Sequence, residues 1–543
     1  MFDMITQRRD FLKSLLGGIS MVALDWSALP RGSGANQDDD RYDAIIIGSG
    51  LGGLSCAAAF ARQGFKPLVL EKHYIPGGYA TTFKRKDFVF DVSLHSTSVD
   101  DRDGLYNLIP GFPEITDAEF VPHPDLYRAV FPDHDLRIPQ QNIPAYIETL
   151  KSLFPEEREA IEGIFDDMEG LTEDIGKYTA AGGQVDMSSF PVDFPYLFKS
   201  FEKTWGEIVD ARIKSPKLKA IVSAQWPYYG LPPSKLATLY YALPYYGYLS
   251  GGGFYVKGKS QRISDAFVRF IQDRGGKVML KTEVKKILVR DHAAYGVKTE
   301  NGKEYYGKVI VSNANAYDTF HSMMNEDELL KDYLQRMDTF SVSLSCFQVF
   351  LGLKKDLIGN LNRNDTEIFY YPGYDFDSSY NSALKADIEH CDFLVTLYDN
   401  IYDGYSPEGK NIINIIALQG YDYWKMYEAD YFANKKKAYR AEKERMADIL
   451  IKRAEETLLP GLSDAIEVKE IGSPLTNLRY TGNYRGAIYG WDQTLDNSGP
   501  NRLAHSTPIQ NLYLAGAWTR PGHGYGGVLM SGPECFREIM QNW

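Results

Sequence analysis

Cysteine is scarce in this sequence, and so are the close pairs of cysteine or histidine that bind metals. Only four Cys occur in 543 residues, at positions 56, 346, 391 and 535, and there is no Cys-x-x-Cys. A structural zinc site or a thioredoxin-like redox pair depends on such close spacing. We therefore expect neither of them, and no resident metal ion.

The chain also lacks an excess of positive charge and long apolar runs. It carries 59 Lys and Arg against 72 Asp and Glu, for a net charge of −13. Nucleic acid is therefore not an expected partner, because phosphate contacts require basic residues in excess on one face. No apolar run reaches the roughly 20 residues that a membrane-spanning helix needs. The length is sufficient for two or three domains with large cores.

Aromatic residues, by contrast, are abundant, with 38 Tyr and 28 Phe. Tyr offers a large apolar ring with a polar tip, which suits the wall of a cavity that holds an apolar ligand. A Tyr-rich core would give the same composition. The densest aromatic region is 227–248, and it leads into Gly251-Gly252-Gly253. We interpret it either as a tunnel wall or as core.

Residues 1–35 have the pattern of an export signal and linker. Arg8-Arg9 precede Phe11-Leu12-Lys13, and a short apolar run follows over 15–24. A basic start followed by such a run is typical of a secretory signal. The segment resembles the bacterial twin-arginine signal, whose pathway carries proteins folded around a cofactor. We expect a periplasmic protein, or one held on the outer face of the inner membrane.

A strand, a glycine-rich turn and a helix follow this segment. Residues 42–47 are a short apolar run that predicts a buried parallel strand. Gly48 permits a tight turn, Gly50 lets a pyrophosphate approach the backbone, and Gly53 lets the helix pack on the strand. Glu71 then ends a second strand, near the spacing expected for a carboxylate that binds ribose hydroxyls. The pattern indicates a dinucleotide-binding site.

A glycine doublet further along the chain indicates which dinucleotide binds, FAD or NAD. Lys72 precedes Gly77 and Gly78, and Thr82 follows them. This segment resembles one that lies beside the flavin in the FAD-dependent amine oxidase and phytoene desaturase superfamily, and NAD dehydrogenases lack it. The resemblance implies that FAD is the cofactor and that these residues contact it.

Three later segments resemble the remaining FAD-binding pieces of that superfamily, in the same order. The resemblance implies that Val284 meets the adenine through its backbone. Near the C-terminal end, Gly516 and Ala517 close a strand, a glycine-rich turn ends at Gly527, and we expect Val528 to begin a final helix. The N-terminus of that helix would stabilise negative charge on the reduced flavin.

Together these segments resemble the phytoene desaturase, carotenoid isomerase and retinol saturase family. Phe90-Asp91 before His95, and Ala515 to Trp518, are most similar to the retinol saturase branch. Val92 stands where phytoene desaturases usually have Gly, so the resemblance does not identify a particular carotenoid.

The resemblance implies an α/β fold with two domains. One is a Rossmann-like FAD-binding domain of the two-dinucleotide-binding type, and the other is an inserted α+β substrate domain. We assign residues 41–125, 255–335 and 470–543 to the FAD-binding domain. Residues 126–254 and 336–469 are assigned to the substrate-binding domain.

The family implies an FAD-dependent oxidoreductase that desaturates, saturates or isomerises C–C bonds of a lipophilic polyene or isoprenoid. His95, His523 and Tyr525 are the candidates for handling a proton beside the flavin, since a His can titrate near neutral pH. After export NAD(P)H is scarce, so quinone or oxygen is the expected electron acceptor, and peripheral contact with a membrane is also expected.

Two alternatives stay open on the sequence alone. One is a flavin amine oxidase of the same fold. The other is a non-enzymatic prenyl-lipid-binding protein of the GDP-dissociation-inhibitor type, a group that generally lacks an intact FAD site.

Overall fold

The computed structural model describes residues 30–31, 41–98, 109, 111–181, 185–186, 188–361 and 364–543. Apart from Pro30 and Arg31, the predicted export signal lies outside these residues. In the part that is described, no helix is both long and apolar enough to cross a bilayer.

Eighteen strands occur in the described residues. In chain order they are β1 (Arg41–Ile47), β2 (Pro67–Leu70), β3 (Thr82–Arg85), β4 (Phe88–Asp91), β5 (Phe120–Pro122), β6 (Tyr127–Val130), β7 (Asp135–Ile138), β8 (Phe254–Val256), β9 (Lys277–Met279), β10 (Val284–Arg290), β11 (Ala293–Thr299), β12 (Glu304–Ser312), β13 (Ser345–Leu353), β14 (Glu367–Tyr370), β15 (Phe393–Thr396), β16 (Asn411–Gln419), β17 (Ile466–Gly472) and β18 (Leu512–Leu514).

The α-helices of the same residues include short single turns as well as long amphipathic helices. In chain order they are α1 (Leu51–Arg62), α2 (Phe112–Ile115), α3 (Ile143–Leu153), α4 (Arg158–Ala180), α5 (Phe190–Asp193), α6 (Pro195–Ser200), α7 (Trp205–Arg212), α8 (Pro216–Ile221), α9 (Thr238–Gly251), α10 (Gln261–Asp273), α11 (Lys331–Met337), α12 (Leu357–Asn360), α13 (Phe376–Leu384), α14 (Lys425–Phe432), α15 (Lys437–Thr457), α16 (Leu462–Ala465), α17 (Pro474–Thr481) and α18 (Gly524–Gln541).

The first sheet has the glycine-rich turn at its centre. Its strand order is β10-β11-β12-β1-β2-β9, and β18 also pairs with β12. β1 runs parallel to both β12 and β2. Its apolar run is buried on both faces: Ala44 and Ile46 pack in the core formed with α1, α10 and α18, while Ile45 and Ile47 pack in a second core on the other side. The sheet confirms the predicted Rossmann-like architecture.

The second sheet has the order β17-β13-β16-β15-β14-β6-β7. Its pairs are antiparallel except for β14 with β6. β13 is buried along its whole length, because Phe347, Val349 and Leu351 pack against the core that includes α15 and alternate residues face other cores. The predicted domain boundary at 469/470 falls inside β17, which belongs to this sheet. The assigned domain limits otherwise stay a prediction.

Candidate active site

The turn between β1 and α1 needs its glycines because other backbone approaches it closely. Gly48 has a φ of +91°, a conformation that favours glycine. A Cβ on Gly53 would lie 2.2 Å from the carbonyl oxygen of Gly48, and one on Gly52 would lie 2.7 Å from the Cα of Gly516. No side chain caps α1, whose N-cap is Gly50, and its first turn has no acidic residue. The free N–H groups of this helix end are therefore available to a phosphate.

Glu71 organises the same turn. The backbone N–H and the hydroxyl of Ser49 donate to Glu71 Oε2 at 2.7 and 2.8 Å, and the backbone N–H of His73 donates to Oε1 at 2.8 Å. Both carboxylate oxygens are thus held in place, and Oε1, which accepts only one hydrogen bond, keeps a lone pair for a further donor. The side chain lines the cavity described below, which is the position that a ribose-binding carboxylate requires.

The second glycine doublet packs directly on this turn. The N–H of Gly77 donates to the carbonyl of Ser49 at 2.9 Å, and Gly77 and Gly78 both have positive φ values, +116° and +62°. Thr82 begins β3, where its N–H donates to Gln261 Oε1 at 3.3 Å. Gly77, Gly78 and Thr82 line the cavity, as do the exposed Lys72 and the buried Val284.

A second helix end without a cap points at the same space. α18 has His523 as its N-cap residue, no side-chain cap, and no acidic residue in its first turn, which contains Gly527. Val528 follows on the same helix. The N–H of Gly516 donates to Ser531 Oγ at 2.8 Å, so the strand end and the helix are fixed together. This arrangement provides the positive dipole end that was predicted for the flavin side.

A buried cation lies behind the Gly516-Ala517 strand end. Arg502 is completely buried and donates to backbone carbonyls, including those of Ala517 at 2.5 Å and Thr519 at 2.8 Å. Burial lowers the pKa of its guanidinium to about 10, so the group stays charged at neutral pH. Arg502 thereby adds positive charge beside the α18 terminus.

One cavity of about 1460 Å³ joins these features to an aromatic chamber. Of the sixteen site residues predicted from the sequence, all but Gly53 and Gly516 line it, and those two form the close backbone contacts behind it. The chamber is formed by side chains from both sheets and from α9. Its aromatic and aliphatic wall includes Tyr228, Tyr240, Leu243, Phe369, Phe393 and Leu394.

The described residues fit an FAD. Two uncapped helix ends and an anchored carboxylate face one cavity, and buried polar atoms at the α18 end, His523 Nε2 and Tyr525 Oη, have no hydrogen-bond partner within the protein. Unpaired buried groups are costly, and the nitrogens and oxygens of a bound flavin ring would supply the partners that these atoms lack. Gly48 to Gly53, Glu71 and the Gly77-Gly78 doublet would hold the nucleotide part.

The three candidate proton-handling residues line the cavity, but neither histidine titrates near neutral pH. Burial lowers the pKa of His95 to about 4. Burial and the charge of Arg502 lower the pKa of His523 to about 3, and burial raises the pKa of Tyr525. Desolvation in the chamber thus favours the neutral imidazole at both positions, and a proton-handling role for His95, His523 or Tyr525 stays a prediction. Tyr489 lies against His523, with ring centroids 4.4 Å apart.

Sequence reasoning missed Glu367. This residue of β14 is completely buried, and it accepts hydrogen bonds from the phenols of Tyr228 and of Tyr398, the latter at 2.6 Å. Burial raises its pKa to about 7, against the lowering effect of these hydrogen bonds. Tyr228 lines the cavity and stacks at 6.0 Å from the ring of His95. No motif identifies Glu367, because its role depends on a contact between residues 139 positions apart.

The fold and the site define an FAD-dependent oxidoreductase. A sequence profile described as flavin containing amine oxidoreductase matches residues 51–540. The chain belongs to that family, as the motifs predicted. An enzyme of this class is not the non-enzymatic prenyl-lipid-binding protein that the sequence alone left open.

Comparison with curated proteins gives similar relatives over most of the chain. It is 26% identical over 521 residues to prolycopene isomerase 1, chloroplastic, of an Oncidium hybrid cultivar, covering 93% of this chain and 85% of that protein. It is 27% identical over 521 residues to all-trans-retinol 13,14-reductase of Homo sapiens, covering 89% and 83%.

Solved structures of low sequence identity share the fold. An oxidoreductase from Methanosarcina mazei superposes with a TM-score of 0.58 at 16% identity, covering 92% of this chain and 100% of that one. Cyclohexylamine oxidase from Brevibacterium oxydans superposes with a TM-score of 0.56 at 15% identity, covering 92% and 99%. At such identities the likeness concerns the fold alone.

Proposed function

We propose that this enzyme transforms C–C bonds of a lipophilic polyene or isoprenoid, by desaturation, saturation or isomerisation. The observation that carries the proposal is the continuity of one cavity from the dinucleotide turn into a chamber walled by aromatic and aliphatic side chains. Such a wall suits an extended apolar ligand. Two relatives, the prolycopene isomerase and the all-trans-retinol 13,14-reductase, are named for polyene substrates, which supports the same class.

Positioning is the main contribution of the chamber to catalysis. An apolar chain offers few hydrogen-bonding groups, so its orientation depends on contact with the walls. When bound, the flavin supplies hydride acceptor and donor chemistry. The protein side chains exclude water, hold the reacting carbons against the ring, and handle the accompanying proton.

We propose Tyr228 as the residue that accepts a proton in the oxidative direction. Its phenol donates to Glu367, so a lone pair of the phenolic oxygen remains for the chamber side. A proton leaving the substrate carbon binds Tyr228 Oη while the phenolic proton passes to Glu367, which ends neutral. Glu367 is thus a positioning residue whose pKa of about 7 matches this transfer at working pH.

Anaerobic mixing tests the substrate class. The purified flavoprotein is mixed with prolycopene, all-trans-retinol or putrescine, the flavin absorption band is recorded, and the products are separated by chromatography. Conversion of a polyene, with or without bleaching of the flavin, supports the proposal. Bleaching by putrescine alone would instead establish the amine oxidase alternative.

We also propose that the protein is exported and that quinone or oxygen accepts its electrons. The support is the Arg8-Arg9 segment and the short apolar run after it. Replacing both arginines with lysine should retain the protein in the cytoplasm, as seen by cell fractionation. Reoxidation of the reduced flavin by a quinone or by air, followed in a stopped-flow instrument, tests the acceptor. Equal export of the double-lysine variant would contradict the assignment of the signal.

A further inference from the structure

Cations are concentrated at one opening of the cavity. Residues 425–445 carry seven Lys and Arg against four Asp and Glu, in a chain whose net charge is −13. Four cations line the cavity here, and we name them the basic rim: Lys436, Arg440, Lys443 and Arg479. Arg440 and Arg479 are exposed, so the cavity lining reaches the protein surface at these two residues.

The basic rim forms no salt bridge with a described carboxylate, although the charges of Glu470 and Glu444 act on Lys443. In the described chain, no carboxylate lies within 4.0 Å of the charged nitrogens of these four residues. The nearest carboxylates have other partners. Ion pairs join Glu442 to Arg445 at 2.7 Å, Glu444 to Lys469 at 2.8 Å, and Glu470 to Arg85 at 2.5 Å.

The cations of the basic rim are close neighbours. Lys436, Arg440 and Lys443 are spaced by four and three residues at the start of α15, so they share one face of the helix. Burial lowers the pKa of Lys436, and the charges of Arg479 and Arg440 lower it further. Arg479 of α17 therefore lies close to Lys436. Lys452, sixteen residues beyond Lys436, lies on nearly the opposite side of α15.

Large apolar side chains stand exposed around the basic rim. We name three of them the apolar fringe: Tyr74, Phe432 and Tyr480, which are 57%, 55% and 47% exposed. Tyr74 and Tyr480 line the cavity. Side chains of this kind settle at the boundary between water and lipid, with the aromatic rings at headgroup depth.

Direct contacts join the fringe to the rim. Phe432 lies 5.3 Å from the ring of Tyr431, above which the Nζ of Lys436 sits at 4.1 Å. On the other side, the guanidinium of Arg479 lies 5.4 Å from the ring of Tyr480. The contacts continue through His73, whose ring is 5.7 Å from Tyr480 and 4.3 Å from Tyr74. Rim and fringe therefore form one surface.

We propose that this surface docks on a bilayer rich in anionic lipid, with the opening of the cavity turned toward the membrane. Anionic headgroups complement the rim cations, and the fringe enters the interface. The proposal rests on the proposed function, because a lipophilic substrate resides in the bilayer. Entry through this opening spares that substrate the unfavourable exposure of its apolar surface to water.

Vesicle binding tests the surface without any substrate, so its failure is distinct from failure of the proposed function. The full chain is floated with vesicles of phosphatidylcholine alone, or with phosphatidylglycerol added. We expect binding that requires phosphatidylglycerol and weakens with salt. The K436Q/R440Q variant should bind roughly 25-fold more weakly, since each cation near an anionic surface contributes about a fivefold factor. The matched control K452Q, on the other side of the same helix, should bind as the native protein does.

A fluorescent label shows which face touches the membrane. The four native cysteines are buried, so a surface cysteine introduced by F432C or V192C is labelled selectively with an environment-sensitive dye. Val192 is 80% exposed and lies outside the rim and the fringe. A blue shift with anionic vesicles for F432C but not for V192C supports the proposal. Equal shifts at both sites would overturn it, and so would vesicle binding that K436Q/R440Q leaves unchanged. Loss of flavin in K436Q/R440Q would also overturn it, because the cations would then belong to the binding site of the FAD phosphates.

Discussion

Tyr228 donates its phenolic hydrogen to Glu367, and the two residues lie at the boundary between the core and the chamber. Glu367 has no exposed surface, and its other oxygen accepts from Tyr398 at 2.6 Å. A buried carboxylate without a cationic partner is destabilised when ionised. This cost brings its pKa to about 7, so a small change of pH or of nearby charge moves its proton.

The first prediction concerns the pH dependence of the reaction. In the oxidative direction the native rate of flavin reduction by substrate should rise with pH up to about 7, as Glu367 becomes ionised and accepts the phenolic proton. In E367Q the rate should no longer rise with pH, and at high pH it should be roughly 10²-fold below the native rate. Y228F should reduce its flavin slowly at every pH. Single-turnover absorbance over a pH series measures both effects.

Asp392 provides the matched control for that experiment. It also lines the cavity, and burial raises its pKa to about 7, but it accepts from Ser379 at 2.8 Å rather than from Tyr228. D392N should therefore keep the native rise of the rate with pH. If the rise of the rate with pH survived in E367Q and disappeared in D392N, the titrating group would be Asp392 and not Glu367.

The second prediction concerns stability. The pKa of Glu367 is raised in the folded protein, from 4.5 to about 7, so the unfolded chain releases this proton at lower pH. Stability from this residue is full below about 4.5, falls as the pH rises to about 7, and stays low above it, a loss of about 3 kcal/mol. E367Q removes this loss. The free energy of unfolding in urea should therefore differ less between pH 5 and pH 8 for E367Q than for the native protein. The exposed Glu389 offers a control, since E389Q should unfold like the native protein at both.

The nucleotide half of the site could be predicted from the sequence because its signals are local. Gly48, Gly50 and Gly53 follow an apolar strand directly, and the close approach to Gly53 is set within six residues. Glu71 lies one βα unit further on, at a distance that the fold itself fixes. The glycine-rich segment also predicted the final helix, although α18 begins at Gly524 rather than at Val528.

The chemistry of the chamber was not predictable in this way. The environment of His95 and His523 depends on burial by distant segments, and the sequence gives no measure of that burial. Glu367 acquires its neighbours only when β14 is placed beside the 226–228 turn. The relation of the basic rim to the cavity was likewise not predictable, because it requires α17 and α15 to meet.

The third prediction tests the close packing at the β1–α1 turn. A Cβ on Gly53 would lie 2.2 Å from the carbonyl oxygen of Gly48, so G53A must displace the helix end that faces the phosphates. We expect a loss of roughly 1–3 kcal/mol in stability and a purified protein with little flavin, read from its visible absorption. Gly176, in α4, has no neighbour within 4 Å of its Cβ position, so G176A should keep its flavin. Full flavin occupancy in G53A would refute the close-packing argument.

The fourth prediction concerns the carboxylate of Glu71. Two backbone N–H groups, from Ser49 and His73, donate to different oxygens of this side chain. In E71Q one of these donors must face the amide NH₂, which cannot accept, so a buried hydrogen bond is lost in either orientation of the amide. The expected cost is about 1–3 kcal/mol, which weakens FAD binding roughly 10- to 100-fold when measured by titrating FAD into the apoprotein.

Glu283 is the control for that measurement. It also lines the cavity, but its carboxylate pairs with Lys285 at 2.8 Å. Neutralising it in E283Q removes a charge from the same cavity without disturbing the turn, so FAD affinity should change by no more than about threefold. Native affinity in E71Q would show that the turn keeps its shape without the carboxylate. Equal weakening in both variants would mean that charge in the cavity, rather than the anchored turn, governs binding of the nucleotide.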